Sequence, residues 1–200
     1  MYQSVIKPTC DFLASFFGFI LLSPIFLIVT IILFFLNEGK PFFFQARPGK
    51  NEKVFKIIKF KTMNDKKDKE GNLLPMANRI TPFGAFLRKS SLDEIPQLIN
   101  IIKGDMSLIG PRPLLVSYLS MYTENQKRRH NVKPGVTGWA QVNGRNMITW
   151  KEKFAMDVWY VDNLSFKLDC IIFFKTLKKI VSKSDIAYSE RAVEQNDFLD

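Results

Sequence analysis

The amino-acid sequence predicts a mostly helical α/β protein that carries one membrane element, and three observations lead there. Residues 12–36 (FLASFFGFILLSPIFLIVTIILFFL) run without a charge. The formal net charge of +10 lies wholly beyond them, because residues 1–36 hold only Lys7 and Asp11. The rest of the 200-residue chain shows short stretches of helical periodicity and one extended segment in which lysines alternate with apolar residues, enough for one compact domain. The organisation expected is a membrane helix over 1–36, a basic domain over 37–184 and a polar tail over 185–200.

At about 1.5 Å of rise per residue, the apolar run could reach across a hydrocarbon core. A cleaved signal peptide fits poorly, since the run outlasts an h-region and no small-residue cleavage site comes before NEGKP. Ser23-Pro24 stands in its middle, and a proline there removes one backbone hydrogen bond and crowds the preceding turn, which predicts a kink or break. Two arrangements are open. A kinked span is slightly favoured by these rules alone, and a helix that enters the membrane, turns and leaves on the same side is the sharper alternative. Lys40, Arg47, Lys50 and Lys53 place the basic remainder on the cytoplasmic side either way.

Next, VFKIIKFKTM (54–63) alternates apolar and lysine side chains as a half-buried strand does, with Lys59 and Lys61 on one face. NDKKDKEGNLLPMAN (64–78) reads as a charged surface loop. Thr-Pro opens a short helix over 81–89, and a second helix is expected over 92–103 with Gly104 at its end. A polar helix follows around 118–130, then the glycine-rich VKPGVTGWAQVNGRN, whose Gly135, Gly138 and Gly144 suit turns. Helical periodicity returns over 150–161 and 166–182, the latter with Lys175, Lys178, Lys179 and Lys183 along one side, as on a membrane surface. Packing is the expected role of Trp139, Trp150 and Trp159.

Composition excludes several classes. Cys10 and Cys170 are the only cysteines and His130 the only histidine, so neither a disulfide framework nor a thiolate or histidine-rich zinc site is suggested. His130 itself, in the basic RRHN, is expected to be solvated and without a role. HExxH, GxSxG, GxGxxG and the P-loop pattern are absent. The basic charge attracts polyanions, and a membrane-tethered nucleic-acid module is one way to use it, but no helix-turn-helix, zinc-finger or RNA-binding signature accompanies it.

The chemistry-bearing cluster is RKSSLDEIPQL, where Asp93 and Glu94 stand together at a helix start marked by Pro96. Ser91 with Glu94 has the form of a capping box, which is an ordinary structural explanation. Around the pair, however, lie Arg88, Lys89 and GPRP (110–113), in which two prolines restrict the backbone of Arg112 and suit its guanidinium to phosphate capture. Carboxylates surrounded by cations are what phosphoryl transfer requires, with magnesium bridging carboxylate and diphosphate.

These blocks in order, ARPG (46–49), FKIIKFKTM (55–63), SLDEIPQLINIIKGDMSLIGPRPL (91–114), RRHNVKPGVTGWAQVNGR (128–145) and FAMDVWYVDNLSFKLD (154–169), strongly resemble the bacterial sugar transferase family, the monotopic phosphoglycosyl transferases. The resemblance covers about residues 7–183 and fits the small catalytic form that begins N-linked glycan assembly in some bacteria, without the extra membrane domain of larger relatives. It implies a re-entrant membrane helix broken at Ser23-Pro24, with the catalytic domain and its surface amphipathic helices on the cytoplasmic face of the inner membrane. It also implies a Mg2+-dependent transfer of sugar 1-phosphate from a UDP-sugar to polyprenyl (undecaprenyl) phosphate, releasing UMP, as the first membrane step of glycan, O-antigen or capsule assembly. By the same resemblance Asp93 is the nucleophile that carries the phospho-sugar and Glu94 the magnesium ligand. Arg112 binds substrate phosphate, Lys59, Arg88 and Arg145 are cationic helpers, and Asp157 is a further substrate-site residue. Inner-membrane lipids, a second copy of the chain and downstream glycosyltransferases are the expected partners, and nucleic acid is not. A catalytically inert scaffold has no use for Asp93, Glu94 and Arg112 together. The family usually has a second basic residue where Pro8 stands here.

Overall fold

Helix α1 (Lys7–Leu36), continued at its start by a π-helical turn over Tyr2–Ile6, contains the apolar run. It is the one helix among the described residues long and apolar enough to cross a membrane. The computed structural model describes residues 1–144 and 149–182. Along α1 large apolar side chains such as Phe17, Leu21 and Phe35 stand exposed while Val29 and Leu33 are buried. Such a continuous apolar surface calls for a lipid environment.

The helix is not broken at Ser23-Pro24, which corrects the expectation from the sequence. Pro24 lacks the N–H that would bond the Ile20 carbonyl four residues back, and Ser23 Oγ donates to that carbonyl at 2.7 Å. A hydroxyl in place of the missing amide lets the helix continue through the proline.

Both ends of α1 are held by the same globular body. Near its start, Lys7 Nζ lies 2.8 Å from Asp169 and 3.6 Å from Asp11. Ser107 Oγ donates to Asp11 at 2.6 Å, and the Tyr2 and Tyr160 hydroxyls donate to Asp169 at 2.6 and 2.7 Å. Lys7 and Asp11 are therefore buried but paired, as buried charges must be. Toward the other end, Val29 and Leu33 pack with Phe60, Leu87 and Ile95, and Asn37 Nδ2 donates to the Lys61 carbonyl at 2.8 Å.

Strand β2 (Val54–Phe60) is present as expected, and it pairs antiparallel with β1 (Phe42–Pro48), a strand that the sequence pattern does not announce. Phe42 lies opposite Phe60, and these two rings stack at 5.6 Å beside Phe26 of α1. On the other face of the hairpin Ile57 packs with Ile101 and Met106. The 64–78 loop is closed at its base, where Asn64 and Arg79 exchange a backbone bond of 2.9 Å and a side-chain bond of 2.8 Å, and it ends in the one-turn helix α2 (Met76–Arg79). Lys61 pairs with Asp65 inside it.

Thr81 caps α3 (Pro82–Lys89) by accepting from the Gly84 amide at 2.9 Å, as the Thr-Pro start predicts. The helix expected over 92–103 is split into a 3-10 turn at Leu92–Glu94 and α4 (Gln97–Ile102), which Gly104 ends at φ +84°. Strand β3 (Ser107–Ile109) pairs in parallel with β4 (Gly135–Thr137). A Cβ on Gly135 would lie 2.1 Å from the Gly110 nitrogen, so that glycine permits backbone-to-backbone packing rather than merely a turn. The expected polar helix over 118–130 is instead two 3-10 segments, Val116–Met121 and Arg128–Asn131, around the short α5 (Glu124–Lys127).

Helices α6 (Trp139–Asn143), α7 (Trp150–Asp162) and α8 (Phe166–Ser182) complete the described fold and enclose a core of Ile109, Val132, Val142, Tyr160, Leu168 and Ile172. Trp150 is buried against Phe154 and Trp139 stacks on Trp159 at 4.8 Å, while Trp159 itself is left exposed, so packing describes Trp150 and Trp139 better than Trp159. Lys175 and Lys179 do not line an outer polar stripe. They donate to Asn143 Oδ1 at 2.6 Å and to the Gln141 carbonyl at 2.9 Å, while Phe166, Phe174 and Leu177 of α8 are exposed. Lys183 and the 185–200 tail lie outside the described residues.

Candidate active site

Asp93 and Glu94 sit on the 3-10 turn between α3 and α4, and the residues on either side of them fix that turn to the membrane helix. Leu92 and Ile95 pack into the cluster that holds Leu33 and Val29. The capping box expected of Ser91 and Glu94 is not formed. Ser91 is left-handed (φ 56°, ψ 16°) and its side chain caps nothing. Glu94 turns instead to Lys59, 2.7 Å away, and to Arg112 at 3.5 Å, because charged partners compete better than a backbone amide for its carboxylate.

The two neighbouring acids are set apart in acidity. Burial and then the charge of Glu94 push Asp93 up to about 6, against the pull of Lys59, Arg88 and Arg112. Burial acts in the same upward sense on Glu94, yet Lys59 and Arg112 win and hold it at about 2. One carboxylate is thus fixed as an anion while its neighbour is ionised at neutral pH but poorly solvated.

Of the three cations that act on Asp93, Lys59 projects from β2 and Arg112 from the GPRP loop. Arg88, at the end of α3, is oriented by Thr62, whose Oγ1 accepts from Arg88 Nε at 2.9 Å. Gly84 allows this approach, since a Cβ there would lie 2.0 Å from the Thr62 carbonyl. The sequence-predicted Asp93, Glu94, Lys59, Arg88 and Arg112 are therefore brought together. Arg145 lies outside the described residues.

Asp157 pairs with Arg129, whose Nη2 also donates to the Arg112 carbonyl at 2.7 Å. Asp157 is buried against Arg129, with Arg129 Nη2 at 2.7 Å and Nε at 3.1 Å from Asp157 Oδ2. Arg129 does not stand out in the sequence, where it is one of two adjacent arginines. Its neighbour Arg128 pairs with Asp162 at the surface, and only an apolar helix face opposite could have told them apart. His130 is likewise buried rather than solvated, edge-on to Tyr122 at 5.3 Å, and burial with the Arg129 charge pushes it down to about 4.

Among the described residues no group of three acidic, histidine or cysteine side chains could hold a metal by itself. The two adjacent carboxylates do fit an ion such as Mg2+, which takes one or two carboxylates and completes its shell with water and phosphate oxygens. Glu94 is held as an anion, the form in which a carboxylate binds a metal ion.

A desolvated carboxylate among three cations, on a turn packed against an apolar helix, is suited to handling anionic groups beside a membrane. The comparisons agree. The bacterial sugar transferase family pattern matches residues 2–183. The chain is 50% identical over 183 residues to the uncharacterised sugar transferase EpsL of Bacillus subtilis, covering 91% of this chain and 90% of that protein. It is 36% identical to the exopolysaccharide production protein ExoY of Rhizobium meliloti, over 87% of this chain and 84% of ExoY. It is also 36% identical to the undecaprenyl-phosphate galactose phosphotransferase of Salmonella typhimurium, over 92% of this chain but only 42% of that longer enzyme. The chain belongs to the bacterial sugar transferase family and is a phosphoglycosyl transferase.

Proposed function

We propose that the protein transfers a sugar 1-phosphate from a UDP-sugar to polyprenyl phosphate, undecaprenyl phosphate in bacteria, giving a polyprenyl diphospho-sugar and UMP. The observation that carries this reading is the environment of Asp93, a buried carboxylate held beside Lys59, Arg88 and Arg112. An Asp93 oxygen attacks the β-phosphorus, the bond to the oxygen bridging the two phosphorus atoms breaks, and UMP leaves with that oxygen. A phosphate oxygen of the lipid then attacks the same phosphorus and frees the carboxylate. Splitting the transfer in this way lets a soluble donor and a membrane-held acceptor use one small site in turn.

Lys59, Arg88 and Arg112 neutralise the diphosphate as charge shifts onto the departing UMP. Glu94, with Asp93 beside it, would hold Mg2+, which supplies further neutralisation of phosphate oxygens when bound.

The same proposal places α1 as a re-entrant element that bends at Pro24 without breaking, with both ends on the cytoplasmic face of the inner membrane. What supports it is that Lys7 near one end and Asn37 at the other both bond to the same domain. A straight span of a hydrocarbon core about 30 Å thick would carry one of them to the far side. The exposed Phe166, Phe174 and Leu177 of α8 would rest on the same leaflet.

The test is UMP release from a panel of UDP-sugars by detergent-solubilised protein with Mg2+ and undecaprenyl phosphate, beside Asp93→Asn. Release that needs lipid, metal and Asp93 supports the reading and names the sugar. UMP release at the wild-type rate by Asp93→Asn would refute it.

A further inference from the structure

We infer that Arg129 is a positioning residue that fixes the loop presenting Arg112, and that Asp157 serves the reaction through Arg129 rather than by touching substrate. The inference rests on the reading that Arg112 binds donor phosphate.

The Arg129 guanidinium is almost wholly removed from solvent, with 2% of its side chain exposed beside 6% for Asp157. Every nitrogen on it is directed. Nε and Nη2 donate to Asp157 at 3.1 and 2.7 Å, and Nη1 donates to the Tyr122 hydroxyl at 2.9 Å. Nη2 also donates to the backbone carbonyl of Arg112 at 2.7 Å. The rings of Tyr122 and Phe154 each lie 5.6 Å from the guanidinium carbon. Asp157 and Tyr122 thus hold the guanidinium, and its fourth bond reaches the loop that carries Arg112.

An ion pair in a core stabilises no better than a well-packed apolar pair of the same volume, so its placement here calls for something an apolar pair cannot do. Gripping a carbonyl is such a thing. Just before Arg112 the loop is tied by backbone bonds, from the Gly110 amide to the Thr137 carbonyl at 2.9 Å and from the Gly135 amide to the Pro111 carbonyl at 3.0 Å. Pro111 and Pro113 restrict the backbone around Arg112. Arg129 adds a side-chain bond to the Arg112 peptide carbonyl, the next link along the loop. From that fixed backbone the Arg112 guanidinium reaches to 3.5 Å from Glu94.

The experiment is a thermodynamic cycle on the full chain in detergent, with binding of UDP in the presence of Mg2+ measured by calorimetry. The partner variant is Arg129→Met with Asp157→Leu, which leaves no charge stranded in the core. Arg112→Ala and the partner variant should each weaken UDP by about tenfold, the worth of one well-placed charge-assisted hydrogen bond. The triple variant should bind no more weakly than Arg112→Ala alone, because a residue acting only through Arg112 has nothing left to act on. A merely structural role would instead add its loss in full to that of Arg112→Ala, and this result, or wild-type affinity in the partner variant, overturns the inference. Wild-type affinity in Arg112→Ala would overturn the phosphate-binding role of Arg112 itself. Should the partner variant fail to unfold cooperatively, Arg129→Lys replaces it. That change keeps Asp157 paired but gives up the planar fork, and the same non-additivity is expected.

Discussion

Replacing Asp93 by asparagine should make the protein more stable at neutral pH while abolishing transfer, and the size of the effect follows from its surroundings. The Asp93 carboxyl has its ordinary value of 3.8 in the unfolded chain and about 6 in the folded one. A carboxyl raised by folding works against the native state wherever the group is ionised. The penalty is fully present above about pH 6 and disappears as pH falls toward 4, because the folded protein then takes up the proton first. A difference of about two pKa units corresponds to about 3 kcal/mol. The asparagine side chain mimics the neutral acid, so Asp93→Asn should melt roughly 6–12 °C above the wild type at pH 7.5. The gap should close near pH 4. Thermal unfolding of both proteins across pH 4–8 in one detergent is the assay. A variant that melts lower than wild type, or a gap that does not change with pH, would refute the argument that burial and Glu94 destabilise the Asp93 anion.

Four further outcomes follow from the same structure. The first half-reaction should lose rate below about pH 6 with a slope of one proton, as Asp93 protonates while Glu94, held at about 2, stays ionised; single-turnover UMP release against pH reads this directly. Gly135→Ala should destabilise the fold by about 1–3 kcal/mol, since its Cβ would meet the Gly110 nitrogen at 2.1 Å. Gly71→Ala, whose Cβ would have no atom within 4 Å but whose φ is +86°, should cost only about 1 kcal/mol, and denaturant melts compare the two. Leu33→Ala, at a side chain with no exposure, should remove about 3 kcal/mol and loosen α1 from the Asp93 turn, seen as faster amide exchange at Leu92 and Ile95.

Much of this architecture is written locally and is therefore legible in the sequence. The charge-free run, the alternation of β2, the Thr-Pro start of α3 and the periodicity of α7 and α8 each depend on residues close in sequence. Strand β1 is not legible, because Phe42, Phe43 and Phe44 in a row show no alternation, and only its pairing with β2 makes the segment a strand. Pro24 does remove a backbone hydrogen bond, as its chemistry dictates, but the Ser23 hydroxyl restores one at the Ile20 carbonyl and the helix continues.

At the site, the acids and cations stand out because such groups gather for few reasons other than handling anions. Their partnerships do not. Ser91 and Glu94 have capping-box spacing, but Lys59, thirty-five residues away, competes for the carboxylate. Asp157 finds Arg129 across twenty-eight residues, and His130 is buried by Tyr122 and its neighbours although its own segment is strongly basic. Charge and spacing name the candidates, whereas burial decides which partners each of them takes.

The central claim is that Asp93 carries the phospho-sugar between donor and acceptor. The direct measurement is intact mass of the protein mixed with Mg2+ and the UDP-sugar that supports turnover, with polyprenyl phosphate withheld. The account predicts a mass increase equal to one sugar phosphate, with UMP released in equal amount, discharge of the adduct when undecaprenyl phosphate is added, and no adduct in Asp93→Asn. UMP release that begins only when lipid is present, with no adduct at any time, would contradict it.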